Sequence, residues 1–415
     1  MKYLFVHRHF PGQYKHVIQS IAADPKNEII FLTKNRGGRI SGVHSIVYQP
    51  DRRPLPSAHP YVHRFEDGVL SADAVRRAAM ELRRQGFTPD IMATHLGWGD
   101  SVYLKDVWPN TPLLGYCEFF YRLGEADVGF DPEFPSPPDS AYRLRTNNAV
   151  FLMGLDAMDW GHSPTHWQRS LHPPHYQDVI SVAHEGVDTE KVKPRPDAGL
   201  SVPALSNSLT RENRIVTYVA RNLEPYRGFH SFMRAVPEIH RRDLRAHVVV
   251  VGGDGVSYGQ PLPNGETHRH RMMAEVGGQI DPARLHFLGS VPYDRFLAVL
   301  QVSSVHVYLT YPFVLSWSLL EAMATGCAIV GSATPPVEEV IVDGFNGLLV
   351  DFFSPPRIAE TIIELLASPS YRDGLGANAR QTILERYDLA SVCLPAFLSM
   401  AASLAEGRRP AVNTP

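Results

Sequence analysis

YLTYPFVLSWSLLEAMATG, residues Tyr308 to Gly326, is the stretch on which the fold reading turns. It starts at the end of an apolar run, Val305-His306-Val307-Tyr308-Leu309, which predicts a buried strand. Pro312 breaks the run. Leu319, Leu320 and Met323 then recur at helical spacing, so Ser316 to Ala324 predicts a helix with one apolar face. Gly326 stands where a helix C-terminus wants a residue tolerant of positive φ. Ala328-Ile329-Val330 begins another strand. Such a turn gathers free backbone N–H groups and the positive end of a helix dipole at one point, which favours phosphate. Glu321 lies further along the helix, where its carboxylate can accept paired hydrogen bonds from a vicinal diol such as a ribose. The alternative is a surface glutamate on an ordinary α/β helix.

Outward from this unit the same alternation recurs. Lys2 to Val6 predicts a strand, His7 to Gln13 a loop, Tyr14 to Ala23 a helix and Glu28 to Thr33 a strand. In parallel sheets ligands sit at the carboxyl ends of strands, so Gly12 reads either as a close backbone approach to a ligand or as a plain turn glycine. Ser71 to Gln85 predicts a helix capped by Ser71 and closed by Gly86. Its Arg76, Arg77, Arg83 and Arg84 read as a solvated face, with a membrane-surface patch as the alternative. Asp90 to His95 and Thr111 to Tyr116 predict strands that end in His95 and Trp98, and in Glu118, Tyr121 and Arg122. FDPEFPSPP, residues 130–138, is irregular, and its Asp131 and Glu133 either line a substrate site or solvate a loop. Asn147 to Ala157 predicts a helix, Trp160 to Ser170 contains a helix start at Ser163-Pro164-Thr165, and Ile180 to Val182 is a strand. Lys191 to Ser208, rich in Pro, Ser, Ala and Gly, reads as a linker. A second α/β run follows, with strands at Ile215–Ala220, His247–Gly253 and Arg284–Leu288, an inserted loop from Gly255 to Arg269, and helices at Phe229–His240 and Tyr293–Gln301. Helices are expected at Pro356–Ala367, Tyr371–Tyr387 and Leu389–Leu404, and a disordered tail from Glu406. The expectation is an α/β protein of two doubly wound parallel sheets, residues 1–200 and 209–388.

Composition narrows the function. The chain has 415 residues, 44% of them hydrophobic, enough for two sizeable cores. No apolar stretch reaches the roughly 18 residues of a spanning helix, and the N-terminus reads as a strand rather than a signal peptide. Three scattered cysteines, Cys117, Cys327 and Cys393, point to a reducing cytoplasm. A net charge of −3 points away from nucleic acid. His162, His166, His172 and His175 lack metal-ligand spacing, so no metal is expected. Gly252-Gly253-Asp254-Gly255 lacks nicotinamide-site spacing, and no G-x-S-x-G is present. Arg221 and Arg227 flank a strand exit just before Gly228, as a diphosphate clamp would require. The alternative is two surface arginines, one paired with Glu224.

These residues, in this order, resemble family 4 retaining glycosyltransferases of the GT-B architecture, two Rossmann-like domains facing a cleft. In the second half the resemblance is carried by Tyr218-Val219-Ala220-Arg221, Arg227-Gly228, Val251 to Gly255, Phe287-Leu288-Gly289, Leu319 to Gly326 and Asp343 to Val350. The first half resembles one bacterial subgroup, through Phe10 to Tyr14, His95-Leu96-Gly97-Trp98-Gly99, Tyr116 to Tyr121, Asp131 to Pro135 and Ser163 to Gln168. The resemblance implies that the first domain binds the acceptor, that the second binds the donor, and that the helix near 389–404 packs back on the first. It implies that Arg221 and Arg227 (the latter usually Lys) hold a nucleotide diphosphate and that Glu321 takes ribose hydroxyls. Leu315, Ser316, Trp317 and Ser318 would meet phosphate and sugar, and Gly12 would approach the diphosphate from the other domain. His95, Trp98, Glu118, Tyr121, Asp131 and Glu133 are the acceptor candidates; Arg221, Arg227 and Glu118 are the catalytic ones.

Two positions depart from the family pattern. The first of the usual pair of glutamates is Phe313, with Val314 and Ser316 in place of the customary glycines, and the usual histidine near the reacting sugar falls at Glu118. The resemblance further implies transfer without a protein nucleophile, cofactor or metal, with domain closure over the donor. The resemblance implies a nucleotide sugar as donor and a saccharide, a lipid-linked molecule or a small molecule as acceptor, in polysaccharide, glycolipid or other glycoconjugate synthesis. A cytoplasmic protein is expected, with peripheral contact to the inner membrane as an option and no nucleic-acid partner. Two rivals stand beside this: an epimerase or phosphorylase on the same plan, and a nucleotide-sugar-binding protein without turnover.

Overall fold

Runs such as Leu4-Phe5-Val6 and Val248-Val249-Val250 have no polar side to leave in water, so they form strands covered on both faces, as parallel sheets require. The computed structural model describes residues 1–35, 37–124 and 126–412, which divide into two units.

The first unit comprises Met1–Gly129, Pro135–Gly186 and the described residues from Leu389 on. Its strands are β1 (Lys2–Val6), β2 (Glu28–Thr33), β3 (Val43–Val47), β4 (Ile91–His95), β5 (Leu113–Tyr116), β6 (Trp160–Ser163) and β7 (Ile180–Val182). They form one parallel sheet in the order β3-β2-β1-β4-β5-β6-β7. On one face Leu4, Val6, Leu32 and Met92 pack with Val75, Leu82 and Trp108. On the other, Tyr3, Phe5 and Phe31 pack with Tyr14, Ile18 and the helix Leu394–Ala405, through Phe397, Met400 and Leu404. The sheet order changes direction at β1 and β4, so the loops after these strands diverge and leave room for side chains.

The second unit comprises Phe130–Phe134 and Val187–Asp388. A hairpin of β8 (Gly199–Leu200) and β9 (Leu209–Thr210) precedes β10 (Arg214–Asn222), β11 (Ala246–Gly253), β12 (Leu285–Gly289), β13 (Val305–Tyr308), β14 (Ala328–Ser332) and β15 (Leu348–Val350). The larger sheet is parallel, in the order β12-β11-β10-β13-β14-β15. The opening stretch forms β13, a turn and the helix Trp317–Ala324. Leu319, Leu320 and Met323 point into the core, and Ser316 caps the helix by accepting the Ser318 N–H at 3.3 Å.

Several expectations are corrected. The stretch 191–208 is not a free linker: Val192, Ala198, Leu200 and Val202 are buried in the second unit, because enough apolar residues lie among the Pro and Ser to cover its core. The helix expected from Ser71 runs His63–Arg84, and Ser71 is not its cap but a buried interior residue accepting a bond from Arg8 Nη2. Gly68 hid the first two turns from propensity; a Cβ there would come within 3.0 Å of Val150 and 3.1 Å of the Trp98 carbonyl. The basic face of this helix is paired, Arg76 and Arg77 to Asp73 and Arg84 to Glu81, which removes the reason to read it as a membrane patch. The helix read from Asn147 begins at Ser140, Trp160–Ser163 is strand before a helix His166–Ser170, and the loop after Gly255 ends in a helix His268–Val276. The short half-polar strand β3 has too little period-two signal to be read. The tail from Glu406 is not loose as far as it is described: Ser181 Oγ donates to the Ala411 carbonyl and Val412 packs on the first unit's core, while residues 413–415 lie outside the described ones. No helix among the described residues is long and apolar enough to cross a membrane.

Gly228 makes the turn from β10 into the helix Phe229–Arg242 with φ of 66°. A Cβ there would run into Leu309 and Phe352. Gly228→Ala is expected to destabilise the second unit by about 3 kcal/mol, about 1 from the left-handed backbone and about 2 from overpacking. An unchanged thermal melt would contradict this packing.

Candidate functional site

Two groups of polar side chains collect at carboxyl ends of strands, one in each unit. In the second unit Arg227, 8% exposed, sits where the β10 exit turns into a helix. Its Nη1 donates to the Tyr308 hydroxyl at 3.1 Å, to Thr310 Oγ1 at 2.9 Å and to the Val314 carbonyl at 3.2 Å. The Tyr308 hydroxyl also accepts the Ser316 N–H at 2.9 Å, so one phenol ties the guanidinium to the N-terminus of the helix Trp317–Ala324. Arg221 lies exposed near the end of β10. Neither arginine pairs with Glu224, which binds backbone amides instead. On the same helix Glu321 accepts from the Tyr293 hydroxyl at 2.5 Å; it is oriented rather than waving in solvent. Leu315 is buried, Ser316 and Ser318 are half-buried, and Trp317 is exposed. Phe313 turns inward, 4% exposed, against Tyr226 and Tyr258.

In the first unit the loops after β1, β4 and β5 bring together His7, Gln13, His95, Trp98 and Glu118. His95 Nδ1 accepts the Gly97 N–H at 3.1 Å, which leaves the proton on Nε2, and Nε2 faces Glu118 Oε2 at 3.3 Å. Gln13 Nε2 donates to Glu118 Oε1 at 3.1 Å, and Gln168 Nε2 holds the Glu118 backbone carbonyl. Burial alone would push the Glu118 carboxyl up, but the hydrogen bonds from His95 and Gln13 outweigh it and hold it below its usual value. Its side chain keeps 31% exposure, so the carboxylate is reachable. Trp98 lies flat on the His95 ring, centroids 3.9 Å apart. Burial, with His95 beside it, pushes the His7 imidazole down to about 3, so it is neutral at ordinary pH. Gly12, at φ of 56°, has the His7 ring packed where a Cβ would be. Tyr121 lies apart, its ring under the Arg64 guanidinium and against Phe119.

Asp131 and Glu133 do not join this cluster. The segment Phe130–Phe134 belongs to the second unit, because Phe130 packs on Tyr311, Phe352 and Phe353 and Phe134 packs on His230 and His268. Asp131, 2% exposed, takes His230 Nε2 at 3.0 Å and the Tyr311 hydroxyl at 2.7 Å. Glu133 is held by Arg234 in a forked pair at 2.6 and 2.8 Å. Both carboxylates are occupied in holding the segment down. Sequence reasoning missed Tyr308, Thr310, Tyr293, Tyr258 and His7 as parts of these groups. For Tyr308 a signal existed, a polar-tipped ring at the last position of a buried strand. For Tyr258 and His7 there was none beyond proximity to a strand end.

Comparison with known proteins bears on both units. Residues 25–192 match the model described as "Glycosyl transferase family 4 group", and residues 204–382 match "Glycosyl transferases group 1". Both halves of the chain are glycosyltransferase domains. An uncharacterised glycosyltransferase of Methanocaldococcus jannaschii is 28% identical over 43% of this chain and 42% of its own length. The chain thus spans less than half of that relative. A D-inositol 3-phosphate glycosyltransferase of Corynebacterium glutamicum is 24% identical over 72% of this chain and 68% of its own. Among solved structures, the sucrose-phosphate synthase of Thermosynechococcus elongatus superposes with a TM-score of 0.71 at 16% identity, covering 98% of this chain and 100% of that one. The Anabaena HepE protein, in complex with UDP and glucose, superposes with a TM-score of 0.65 at 14% identity, covering 98% and 99%. The glycosyltransferase domains of this chain therefore share the GT-B fold, two Rossmann-like parallel sheets.

The Asp131 contacts carry a pH signature. Burial pushes this carboxyl up, but bonds from His230, Tyr311 and the Glu133 N–H prevail and hold it below its usual 3.8. A depressed folded value means stabilisation that is present above the usual value and lost as pH falls through the folded one. Urea unfolding of the second unit should therefore weaken steeply on acidification below pH 3.8. Asp131→Asn should be less stable at pH 7 and show a shallower acid slope. Coincident slopes for the two proteins would remove this pair from the account.

Proposed function

We propose that the chain is a retaining glycosyltransferase that moves a sugar from a nucleotide-diphosphate donor to a hydroxyl acceptor. The observation that supports this best is the Tyr308 hydroxyl, which holds Arg227 beside the capped end of the helix Trp317–Ala324. A fixed guanidinium next to a helix N-terminus suits a diphosphate that gains charge as the sugar leaves. Arg221, exposed nearby on the same strand exit, supplies a second cation. Glu321 takes the ribose diol, oriented by Tyr293. The amides from Leu315 to Ser318 face phosphate and sugar.

Glu118 is proposed to contact the reacting sugar or the acceptor hydroxyl. It is an anion held by two neutral donors, so it can accept a hydroxyl proton in a hydrogen bond without being neutralised by a neighbouring cation. His95 and Gln13 position it, and Trp98 offers a flat apolar edge beside it. The leaving phosphate oxygen is the base in this reading, and the acceptor attacks from the face the diphosphate leaves. The Corynebacterium glutamicum relative is named for D-inositol 3-phosphate, a small phosphorylated polyol, which favours a small acceptor here. The structures with UDP favour a uridine donor.

Calorimetric titration with UDP-, GDP- and ADP-sugars, followed by a hydrolysis and transfer assay, tests this. Arg227→Ala should lower kcat about 10²–10³-fold, the usual loss of one oxyanion-stabilising donor. Glu321→Ala should weaken donor binding about 10-fold, as expected for lost charged hydrogen bonds. Glu118→Gln should lower kcat while leaving donor binding unchanged. Binding without any turnover, by every donor tried, would instead support a nucleotide-sugar-binding protein.

A further inference from the structure

Arg227 is not open to a ligand. The ring of Tyr258 lies over its guanidinium, with the centroid 5.4 Å from Cζ. Phe313 is close by, its centroid 6.0 Å from Cζ and 4.8 Å from that of Tyr258. Phe313 and Tyr308 are buried, whereas Tyr258 keeps 37% of its surface in solvent. Of the rings around this guanidinium, Tyr258 is the one that can leave without opening the core.

What holds Tyr258 there is unusual. Glu224 is 1% exposed, yet no cation lies within ion-pair distance of it among the described residues. Its carboxylate accepts three consecutive backbone N–H groups instead: Ser257 at 3.0 Å, Tyr258 at 3.1 Å and Gly259 at 2.8 Å. Successive amides turned to one point form an anion-binding nest, and here the chain fills its own nest. A buried carboxylate without these bonds would be costly, so the loop must sit where it satisfies Glu224. Asn222 Nδ2 adds a bond to Ser257 Oγ at 2.8 Å. The backbone at residues 257–259 is thereby pinned, and Tyr258 can move only about its side-chain torsions.

We propose that Tyr258 is a removable cap on Arg227, and that Glu224 is the residue that positions it. The proposal rests on the reading of Arg227 as a diphosphate ligand. An arriving diphosphate displaces the phenol from the guanidinium and takes its place, while the clamped backbone stays. In the empty protein the cap shields a buried cation. Because the nest is already filled by Glu224, the loop offers the diphosphate no competing amides.

The test uses the full-length chain and phenylglyoxal, which modifies accessible guanidinium groups, with peptide mass spectrometry to follow Arg227 and with Arg221 as internal reference. A side chain reactive only when uncovered is slowed by its covered fraction, so Arg227 should react at least about 10-fold more slowly than Arg221. Tyr258→Ala, at a half-exposed site and checked for folding by circular dichroism, should bring Arg227 close to the Arg221 rate. Equal Arg227 rates in Tyr258→Ala and in the unaltered protein would overturn the cap. Glu224→Gln should also speed Arg227, and the double variant should react no faster than Tyr258→Ala alone. Multiplying effects would show that Glu224 acts elsewhere and would overturn its positioning role. Inorganic pyrophosphate should protect Arg227 and bind Tyr258→Ala more tightly than the unaltered protein; weaker binding would make Tyr258 a ligand contact and overturn the cap. Absence of pyrophosphate binding in every protein would count against the donor reading, with the labelling rates still deciding the cap.

Discussion

One phenol organises the second unit's candidate site. Tyr308 ends β13, a strand buried on both faces, so its ring is fixed by the core and its hydroxyl emerges at the carboxyl end of the sheet. There it accepts from both Arg227 and the Ser316 amide. The two donors come from different connections, one leaving β10 and one leaving β13, and the neighbouring strands bring them within reach. Without that acceptor a buried guanidinium would lose one of its few partners, and the turn before the helix would lose its anchor. The chemistry proposed for the site is thus a consequence of strand order before it is a consequence of any single charged residue.

The first unit solves a related problem with neutral groups. Glu118 is left charged, but the groups that fix it, a histidine with its proton on Nε2 and a glutamine amide, carry no charge of their own in that state. A lysine or arginine at either position would have paired the carboxylate fully and taken its acceptor capacity. The buried neutral His7 and the flat Trp98 complete a wall that orients without neutralising.

Much of this was legible in the sequence because it depends on local pattern. The apolar runs that became β1, β10, β11 and β13 have no alternative but a doubly covered sheet, and Leu319, Leu320 and Met323 state a helix by their spacing. The positions of Gly12, His95, Glu118 and Arg227 near strand exits were also legible, because the loops after parallel strands gather at one end of the sheet. What was not legible depends on distant partners. Asp131 and Glu133 looked like free acidic residues in a proline-rich loop, and only His230, Tyr311 and Arg234, some hundred or more positions away, show them to be engaged. Glu224 looked like a partner for an arginine, and nothing near it in the chain announces three amides from residues 257–259. The stretch 191–208 looked like a linker because its composition is that of one, while its few apolar residues were enough to recruit it into a core.

The division of the chain has a consequence for how such a protein can be taken apart. The polypeptide passes from one unit to the other at 129/130, back at 134/135, across again at 186/187 and home at 388/389. Neither unit is therefore encoded by a single uninterrupted stretch. A fragment ending at Gly186 lacks the terminal helix that covers Tyr14 and Phe5, and a fragment starting at Val187 lacks the five residues that cover His230 and Phe352. Recombining halves between relatives would have to carry these short borrowed pieces along with their hosts, which makes the sensible unit of exchange a mosaic rather than a half.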